Sequence, residues 1–367
     1  HIAEARQFLG HKKFRAAWES TVAAIAKRPF HPEAFLLLAE IAFAVNDGDD
    51  AKLCADYARR IAPEFKSAKK FLNQRLRGNN RPEWLKLPAQ IQGSNSKGPG
   101  RLSVCLIVKN EEKFLGQCLK SVRDVAQQIV GVDTGSTDRT VEIAKEFGAE
   151  VHSFTWCDDF SAARNVALQQ VTGDWVLALD ADEELSSKDH DKLHKAMSDA
   201  TAMAWRLPIV DVGRELDGCS YVPRLFRNGP GLFYVGRVHE QIFTSLEVRR
   251  AEWGLENKIG EATLIHHGYT EELIRDRNKI ERNLQLLERA VNELPGEPHL
   301  LMNLGLELSR SGREAEAFSR YQEAFDSLSS KPAVEVVPEL RETLLAHYGT
   351  RLTAAKRLDE TVRVLTS

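Results

Sequence analysis

The feature that most constrains the fold is an alternation of short apolar runs with amphipathic stretches, which begins at Leu102. The runs "LSVCLIV", "QIVGVDT" and "WVLALD" have the length and aliphatic composition of strands. Residues 112–125 and 138–147 have the apolar spacing of helices, and Gly148 ends the second of them. Strands that alternate with helices predict an α/β fold with a parallel sheet, which binds ligands outside the carboxyl ends of its strands.

Polar residues follow each of these predicted strands: "KNEE", "DTGSTDRT" and "DADEE". Neighbouring carboxylates raise each other's pKa, so the last cluster needs a compensating cation or wide exposure to solvent. Asp180 and Asp182 are two positions apart and point the same way on an extended strand, and a turn would let both reach one ion. Mg²⁺ and Mn²⁺ prefer such oxygen ligands. An acid-rich start of the next helix explains the cluster equally well.

Two other polar segments lie at the same predicted edge of the sheet. Asp133 ends the second strand, where a carboxylate facing a crevice can bind a base or a ribose. Ser136–Asp138 are typical helix-capping residues, which favours a structural role for them. Arg164, in "WCDDFSAARNVAL", can pair with phosphate oxygens, or alternatively with Asp158 or Asp159 at the surface.

Several classes of protein are disfavoured. Neither GxGxxG nor GxxxxGK[ST] follows the first strand, which argues against a dinucleotide-binding fold and a P-loop NTPase. The net charge of -3 argues against a dominant nucleic-acid surface, and no apolar run approaches the roughly 20 residues that span a bilayer. Five cysteines without CxxC spacing and no signal-peptide pattern predict reduced thiols in the cytoplasm.

Helical repeats are predicted on both sides of the α/β region. Small residues and prolines recur 34 positions apart, for example 63 − 29, which is the period of tetratricopeptide repeats. The matching pairs are Ala5 and Ala39, Ala17 and Ala51, Ala24 and Ala58, and Pro29 and Pro63. A second region fits the same template at Leu304, Gly305, Leu308, Gly312, Ala317, Tyr321 and Ala324.

These patterns predict four segments of the chain. They are helical repeats over residues 1–76, a linker with the Gly-rich and Ser-rich stretch "QGSNSKGPG" over 77–101, a catalytic domain over 102–270, and a helix with further repeats over 271–367. Because isolated repeats cannot bury their apolar faces, each flank is expected to pack on the centre or on an added helix.

The order and spacing of "LSVCLIVKNEE", "VDTGSTDRTVEIAKEFGAEV", "DDFSAARNVAL" and "GDWVLALDADEEL" resemble a family 2 glycosyltransferase with the GT-A nucleotide-sugar fold. "RLFRN", "GRVHEQI" and "IHHGY", followed by repeats, are similar to the branch that includes peptide glycosyltransferases of the sublancin type. Similar central motifs also occur in transferases that build lipopolysaccharide core. The resemblance covers residues 102–294.

The resemblance implies a role for particular residues. The donor nucleotide would be bound by Ile107, Lys109, Glu111, Asp133, Arg164, Asp180 and Ala181. Asp182 would be the main ligand of a divalent ion, Mn²⁺ or Mg²⁺, that bridges the diphosphate. Asp180 would contact this ion or the ribose, and His266 rather than His267 would complete the metal site. A purely structural histidine remains an alternative to that ligand.

Family 2 enzymes invert at the anomeric carbon, which requires a base that deprotonates the acceptor. Glu240 in "GRVHEQI" is the candidate, with a salt bridge to Arg237 or Arg224 as the structural alternative and Asp211 and Asp217 as other candidates. The leading hypothesis is transfer from a nucleotide sugar, with UDP as the expected nucleotide, to a protein or peptide held by the repeats. Transfer to lipopolysaccharide core or another glycan is the second hypothesis. A binding scaffold with an inactive transferase domain is the third.

Overall fold

The computed structural model describes residues 1–92, 100–213, 219–267, 277–330 and 338–366. Nearly all of the segment "QGSNSKGPG", predicted as part of a linker, and the candidate Asp217 lie outside these residues. The chain divides into two compact units. The first contains His1–Trp156, Ala163–Phe233 and Ser245–Thr270, and the second contains Cys157–Ala162, Tyr234–Thr244 and Glu271–Ser367.

The first unit contains a mixed sheet of nine strands, counted over the described residues. They are β1 Leu102–Val108, β2 Gln128–Asp133, β3 Glu150–Ser153, β4 Trp175–Ala178, β5 Glu183–Leu185, β6 Ala202–Asp211, β7 Ser220–Arg227, β8 Glu256–Ile259 and β9 Leu264–His266. The order is β3-β2-β1-β4-β7-β6-β9-β5, and β8 also pairs with β6. The first four strands are mutually parallel. The predicted α/β fold is thereby confirmed.

Helices accompany the sheet and extend beyond it. They are α1 Ile2–Gly10, α2 Phe14–Lys27, α3 Pro32–Ala44, α4 Gly48–Ile61, α5 Lys66–Leu72, α6 Ala89–Gln92, α7 Leu115–Val122, α8 Thr140–Glu146, α9 Phe160–Gln170, α10 His190–Met197, α11 Phe243–Trp253, α12 Arg277–Glu293, α13 Pro298–Arg310, α14 Glu314–Ser329, α15 Pro338–Ala354 and α16 Leu358–Leu365. Within the described ranges, no helix has the length and apolarity that a bilayer crossing requires.

Both helices predicted between the first strands are shorter than expected. The helix expected over residues 138–147 is α8, Thr140–Glu146. The apolar spacing also indicated a helix over residues 112–125, whereas α7 begins at Leu115 and ends at Val122. The preceding residues are held in a loop, because the Glu111 amide donates to Thr140 Oγ1 at 2.7 Å and the Glu112 amide donates to Asp138 Oδ2 at 3.1 Å. Hydrogen bonds to a distant turn therefore replace the first turn of helix, a competition that periodicity alone does not reveal.

The N-terminal helices pack on the sheet within the first unit. The Phe30 ring lies 5.3 Å from the Trp253 ring, and Arg28 Nη1 donates to Asn228 Oδ1 at 2.6 Å. The Glu64 amide donates to the Trp253 carbonyl at 3.1 Å. Trp253 is fully buried and Asn228 is 1% exposed. Helices α1 to α6 thus bury an apolar face of this unit, as was expected of a flank too short to complete its own core.

The second unit is built around the C-terminal helices. Its core contains Leu304, Leu308, Ala317, Tyr321 and Tyr348. Gly305 shows why small residues occur where these helices meet, because a Cβ at this position would lie 3.2 Å from the Tyr321 ring. The helix pair α13 and α14 therefore approaches closely at the position where the repeat template places a glycine.

Candidate active site

The carboxylate cluster lies at the carboxyl end of β4, where the chain turns into β5. The pairing of β5 with β9 places Glu183 opposite His266. The His267 amide also donates to the Asp182 carbonyl at 2.9 Å. Backbone pairing therefore brings Asp182 and His266, which are 84 positions apart in the sequence, to one edge of the sheet.

Asp182 and His266 face each other at this edge. Asp182 Oδ2 lies 3.3 Å from His266 Nε2, and His266 Nδ1 lies 2.7 Å from Asp211 Oδ1. A carboxylate that binds one imidazole nitrogen fixes the ring and leaves the other nitrogen for a ligand, which is the usual arrangement around metal-binding histidines. His267 instead bonds to Glu184 at 3.0 Å and stacks on Phe114.

The charges around His266 fit a cation site. Burial would lower the pKa of His266, but the carboxylates of Asp182 and Asp211 outweigh it and raise this pKa to about 9. The same two carboxylates would attract a divalent ion. Over the described residues no group of three or more His, Cys, Asp or Glu side chains is arranged to hold a metal. Two protein ligands suit Mg²⁺ or Mn²⁺, which take further ligands from water and substrate phosphates.

Asp180 has different neighbours. Its Oδ1 pairs with Arg164 and its Oδ2 lies 2.6 Å from Arg224 Nη2. Burial would raise the pKa of Asp180, but Arg224 and Arg164 hold it well below its usual range. A cation or ribose at Asp180 would therefore have to compete with two guanidinium groups. Two aspartates were considered as alternative partners of Arg164. Asp158 pairs with Arg289. Asp159 accepts a hydrogen bond from the Ala162 amide and so caps α9.

Arg224 and Glu183 are central to this network, although both lie in the quoted motifs and neither was predicted to belong to the donor site. Arg224 Nη2 also lies 2.5 Å from Glu183 Oε1, and Glu183 Oε2 accepts from the Asp180 amide at 3.0 Å. Burial raises the pKa of Glu183 to about 7, with Arg224 opposing the shift. The sequence offers one signal that Arg224 has a buried partner, which is its place within the strand "YVPRLFR". A charged residue inside a strand with buried neighbours needs a partner of opposite charge.

Arg224→Met is expected to lower the free energy of unfolding by about 3–5 kcal/mol, because it leaves the buried Glu183 carboxylate without its cation. Chemical denaturation followed by circular dichroism measures this loss. Arg224→Met combined with Glu183→Gln should recover part of it, since the second change removes the unpaired charge. Equal stability of the single and double variants would contradict this explanation.

The proposed nucleoside side of the site lies where β1 and β2 end. Val108 pairs with Asp133 in the sheet, and Asn110 Oδ1 accepts from the Thr137 amide at 2.8 Å. Asp133 is 8% exposed and its carboxylate accepts from the Gly135 and Ser136 amides at 3.2 and 3.1 Å. The Asp133 carboxylate therefore stabilises the turn that follows β2.

The remaining predicted donor residues differ in what they can offer. Ile107 is half-buried in β1, whereas Lys109 is exposed beyond the end of that strand. The backbone of Glu111 is fixed by its bond to Thr140. Ala181 is 5% exposed and packs in the core, so it can present only its backbone to a ligand.

Glu240 lies in the second unit, on a loop that the C-terminal helices hold. Arg237, one of the two arginines considered as its salt-bridge partner, pairs with Glu293 at 2.8 Å. Arg224, the other, pairs with Asp180 and Glu183.

Close contacts also fix the residue before Glu240. His239 Nε2 lies 3.0 Å from Oε1 of Glu307, which is 1% exposed. His239 has a φ of 53°, in the left-handed region that disfavours side chains with a Cβ. Such a conformation persists only where the surroundings determine it, so the position of the Glu240 loop depends on the C-terminal helices.

The sequence matches a glycosyltransferase family model and resembles proteins named as glycosyltransferases. Residues 103–273 match the model of the family described as Glycosyl transferase family 2. A TPR repeat-containing protein of Synechococcus elongatus is 35% identical over 215 residues, 58% of this chain and 53% of the relative. The SPbeta prophage-derived glycosyltransferase SunS of Bacillus subtilis is 27% identical over 66% of this chain and 57% of its own length. The chain thus spans a little over half the length of these relatives.

Solved structures give a weaker likeness. S. aureus TarS 1-349 in complex with UDP-GlcNAc is 14% identical, with a TM-score of 0.42 over 73% of this chain and 91% of that one. Mannosyltransferase PcManGT from Pyrobaculum calidifontis, with GDP-Man and Mn²⁺, is 16% identical, with a TM-score of 0.39 over 90% and 98%. These scores are too low to assign a donor or a residue's role. The family match shows that residues 103–273 are a family 2 glycosyltransferase domain.

Proposed function

Because residues 103–273 belong to the family 2 glycosyltransferases, we propose that the chain is an inverting, metal-dependent enzyme that glycosylates a protein or peptide. The donor is a nucleotide-diphosphate sugar, with UDP as the expected nucleotide. The observation that carries the proposal is the facing pair Asp182 and His266, backed by Asp211, at the ligand-binding edge of the sheet. The sublancin-type resemblance supports a polypeptide acceptor.

The donor is held on the first unit. Ile107, Lys109, Glu111 and Asp133 flank the nucleoside at the ends of β1 and β2, and Asp182 and His266 hold the divalent ion. When bound, that ion neutralises the charge that develops on the leaving diphosphate. Arg164 and Arg224 bring two further positive charges to the edge that receives the phosphates, while Asp180 keeps both of them in place.

Glu240 is the base in this proposal. Its carboxylate takes the proton from the acceptor side chain as the acceptor atom attacks the anomeric carbon. The bond from that carbon to the diphosphate oxygen breaks, and the nucleoside diphosphate leaves with the electron pair. The result is a glycosylated side chain with inverted configuration and a protonated glutamate, which returns its proton to solvent.

Glu240→Gln is expected to lower the rate of transfer by roughly 10² to 10⁴, because removing a general base has an effect of this size. Donor affinity should barely change, since the donor-binding residues lie on other elements. Nucleotide titration and initial rates of transfer measure the two quantities. Glu252→Gln, on the surface of α11, is the control for the loss of one carboxylate. A near-normal rate for Glu240→Gln would move the role to Asp211 or Asp217.

A panel of nucleotide sugars tests the activity itself. The chain is incubated with each donor and Mn²⁺, and release of the nucleoside diphosphate is measured with and without EDTA. Candidate acceptor proteins are then analysed by intact mass for the addition of one sugar. Donor hydrolysis that EDTA removes supports the proposal, whereas no hydrolysis of any donor favours the inactive scaffold.

A further inference from the structure

The buried carboxylate of Glu183 closes the turn that carries Asp182. The Asp180 amide donates to Glu183 Oε2 at 3.0 Å, and the Glu183 amide donates to the Asp180 carbonyl at 3.0 Å. These two bonds join the first and last residues of a turn whose central residues are Ala181 and Asp182. We call residues 180–183 the carboxylate turn. The proposed reaction gives Glu183 no role.

The other oxygen of Glu183 ties the carboxylate turn to the sheet. Glu183 Oε1 lies 2.5 Å from Nη2 of Arg224, and the same nitrogen lies 2.6 Å from Asp180 Oδ2. Arg224 belongs to β7, which pairs with β4 on one side and β6 on the other. Both ends of the turn are therefore bound to each other and to one strand within the sheet.

The side chain of Asp182 points away from these contacts and toward His266. Successive side chains of an extended chain point to opposite sides. The Glu183 side chain is 2% exposed, whereas that of Asp182 is 26% exposed and its Oδ2 lies 3.3 Å from His266 Nε2. The Asp182 carbonyl also accepts from the His267 amide at 2.9 Å. The backbone around Asp182 is thus held on both sides, which determines where its carboxylate lies.

The main consequence of a charge at Glu183 is geometric. A buried ion pair often adds little net stability over apolar side chains of similar volume, because both charges lose their hydration. Hydrogen bonds to a carboxylate are directional, however, and they fix the groups that donate to it. Side chains that orient metal ligands in this way commonly change metal affinity by roughly 10- to 100-fold when they are replaced.

We propose that Glu183 is a positioning residue of the donor site, which orders the carboxylate turn so that Asp182 and His266 together face the divalent ion. This inference rests on the proposed function for the identity of the ion. In this role Glu183 acts through the Asp180 amide and through Arg224, and contacts neither the ion nor the donor. Replacing Glu183 should therefore weaken metal binding although both ligating side chains are still present.

Glu183→Leu is expected to weaken Mn²⁺ binding roughly 10- to 100-fold, because leucine has a similar volume and cannot accept from the Asp180 amide. Electron paramagnetic resonance of free Mn²⁺ measures the affinity of the full chain, with and without UDP. Glu183→Gln should bind Mn²⁺ more tightly than Glu183→Leu, since the side-chain oxygen of glutamine can still accept from that amide. Wild-type affinity in Glu183→Leu would overturn the proposal.

Glu183→Asp tests the geometry with the charge retained, and it replaces Glu183→Leu if that variant does not fold. Its carboxylate is one carbon closer to the backbone and cannot reach the Asp180 amide and Arg224 together. Mn²⁺ affinity should again fall roughly tenfold or more. An unchanged affinity would show that the charge of Glu183 matters and its position does not, which contradicts a positioning role.

Asp47→Leu is the matched control. Asp47 is 2% exposed, like Glu183, and its Oδ1 accepts from the amide of Asp50, also three positions away, at 3.1 Å. This variant loses a buried carboxylate and a local hydrogen bond at the start of α4, so it should keep the wild-type affinity for Mn²⁺. Circular dichroism verifies that each variant is folded. Equal loss of affinity in Asp47→Leu and Glu183→Leu would overturn the proposal in favour of general damage to the fold.

Crystal structures of the metal-free variants separate this inference from the proposed function. In Glu183→Leu or Glu183→Asp the distance from Asp182 Oδ2 to His266 Nε2 should exceed the 3.3 Å of the wild type. An unchanged carboxylate turn in these variants would overturn the positioning role, whatever the activity of the enzyme. A wild-type chain that binds no Mn²⁺, with or without UDP, would instead contradict the metal-dependent function, and the crystal structures would still decide whether Glu183 orders the turn.

Discussion

Asp182→Asn is expected to lower the rate of sugar transfer by on the order of 10³ or more, because it removes the charge that holds the divalent ion at the diphosphate. The amide has the same shape, and Asp182 is about a quarter exposed, so the fold should persist. Initial rates with a donor identified in the nucleotide-sugar panel measure the loss. Excess EDTA should reduce the wild-type rate to a similar level.

A binding measurement distinguishes loss of the metal from other damage. Electron paramagnetic resonance of free Mn²⁺, in the presence of nucleoside diphosphate, should show weaker binding to Asp182→Asn than to the wild type. Asp199→Asn is a close control, because Asp199 is also about a quarter exposed in the first unit and pairs with a base, Lys258 at 2.8 Å. This control should keep both Mn²⁺ binding and turnover. Full wild-type activity in EDTA would contradict the metal-dependent mechanism.

Much of the α/β region follows from local pattern. The strand over residues 102–108 was predicted with its observed bounds, because its apolar run has polar residues on both sides. The parallel order of the first strands follows from the alternation of strands and helices. The part of the sheet from β5 to β9, which mixes antiparallel and parallel pairs, was not predicted. Its strands pair with distant parts of the chain, as Glu183 pairs with His266, 83 positions later, and such pairing has no local signature.

Of the residues in the candidate site, some were predicted from the sequence and others were not. Asp182 and His266 belong to recognisable motifs, and the structure places them 3.3 Å apart. The pairing of Arg224 with Glu183 was not predicted, because it depends on burial and on each other's charge. Asp180 was assigned to ribose or metal from its motif, whereas its neighbours in the structure are Arg164 and Arg224. The types of residue predicted which side chains could bind a ligand. They did not predict which of these side chains form ion pairs with other residues of the protein.

For the N-terminal helices, too, the sequence pattern and the contacts in the structure suggest different roles. As tetratricopeptide-like repeats they suggested a surface for the acceptor. The contacts of Phe30 with Trp253 and of Arg28 with Asn228 indicate a different consequence. These helices cover residues of the first unit that would otherwise be apolar or unsatisfied at the surface, so their removal should affect every activity of that unit.

A chain of residues 100–367 is therefore expected to lose stability, donor hydrolysis and transfer together. Exposing Trp253 and neighbouring apolar groups costs roughly 1.5–3 kcal/mol for each large side chain. Two or three such groups would lower the melting temperature by about 10 °C or more. Differential scanning fluorimetry, donor hydrolysis and transfer are measured on the same preparation. An unchanged melting temperature with selective loss of transfer would instead support acceptor docking on the N-terminal repeats.

A point substitution gives the same test without deleting a segment. Phe30→Ala should lower the free energy of unfolding by about 3–5 kcal/mol, the usual range for a buried phenylalanine. Phe43→Ala is the control, because it makes the same change elsewhere in the N-terminal helices. Phe43 is 37% exposed and Phe30 is 7% exposed, so Phe43→Ala should lower the free energy of unfolding by less. If the helices act by covering the first unit, Phe30→Ala molecules that remain folded should hydrolyse donor and transfer sugar in the wild-type ratio. A lower ratio of transfer to hydrolysis in Phe30→Ala alone would return the N-terminal helices to a role in acceptor binding.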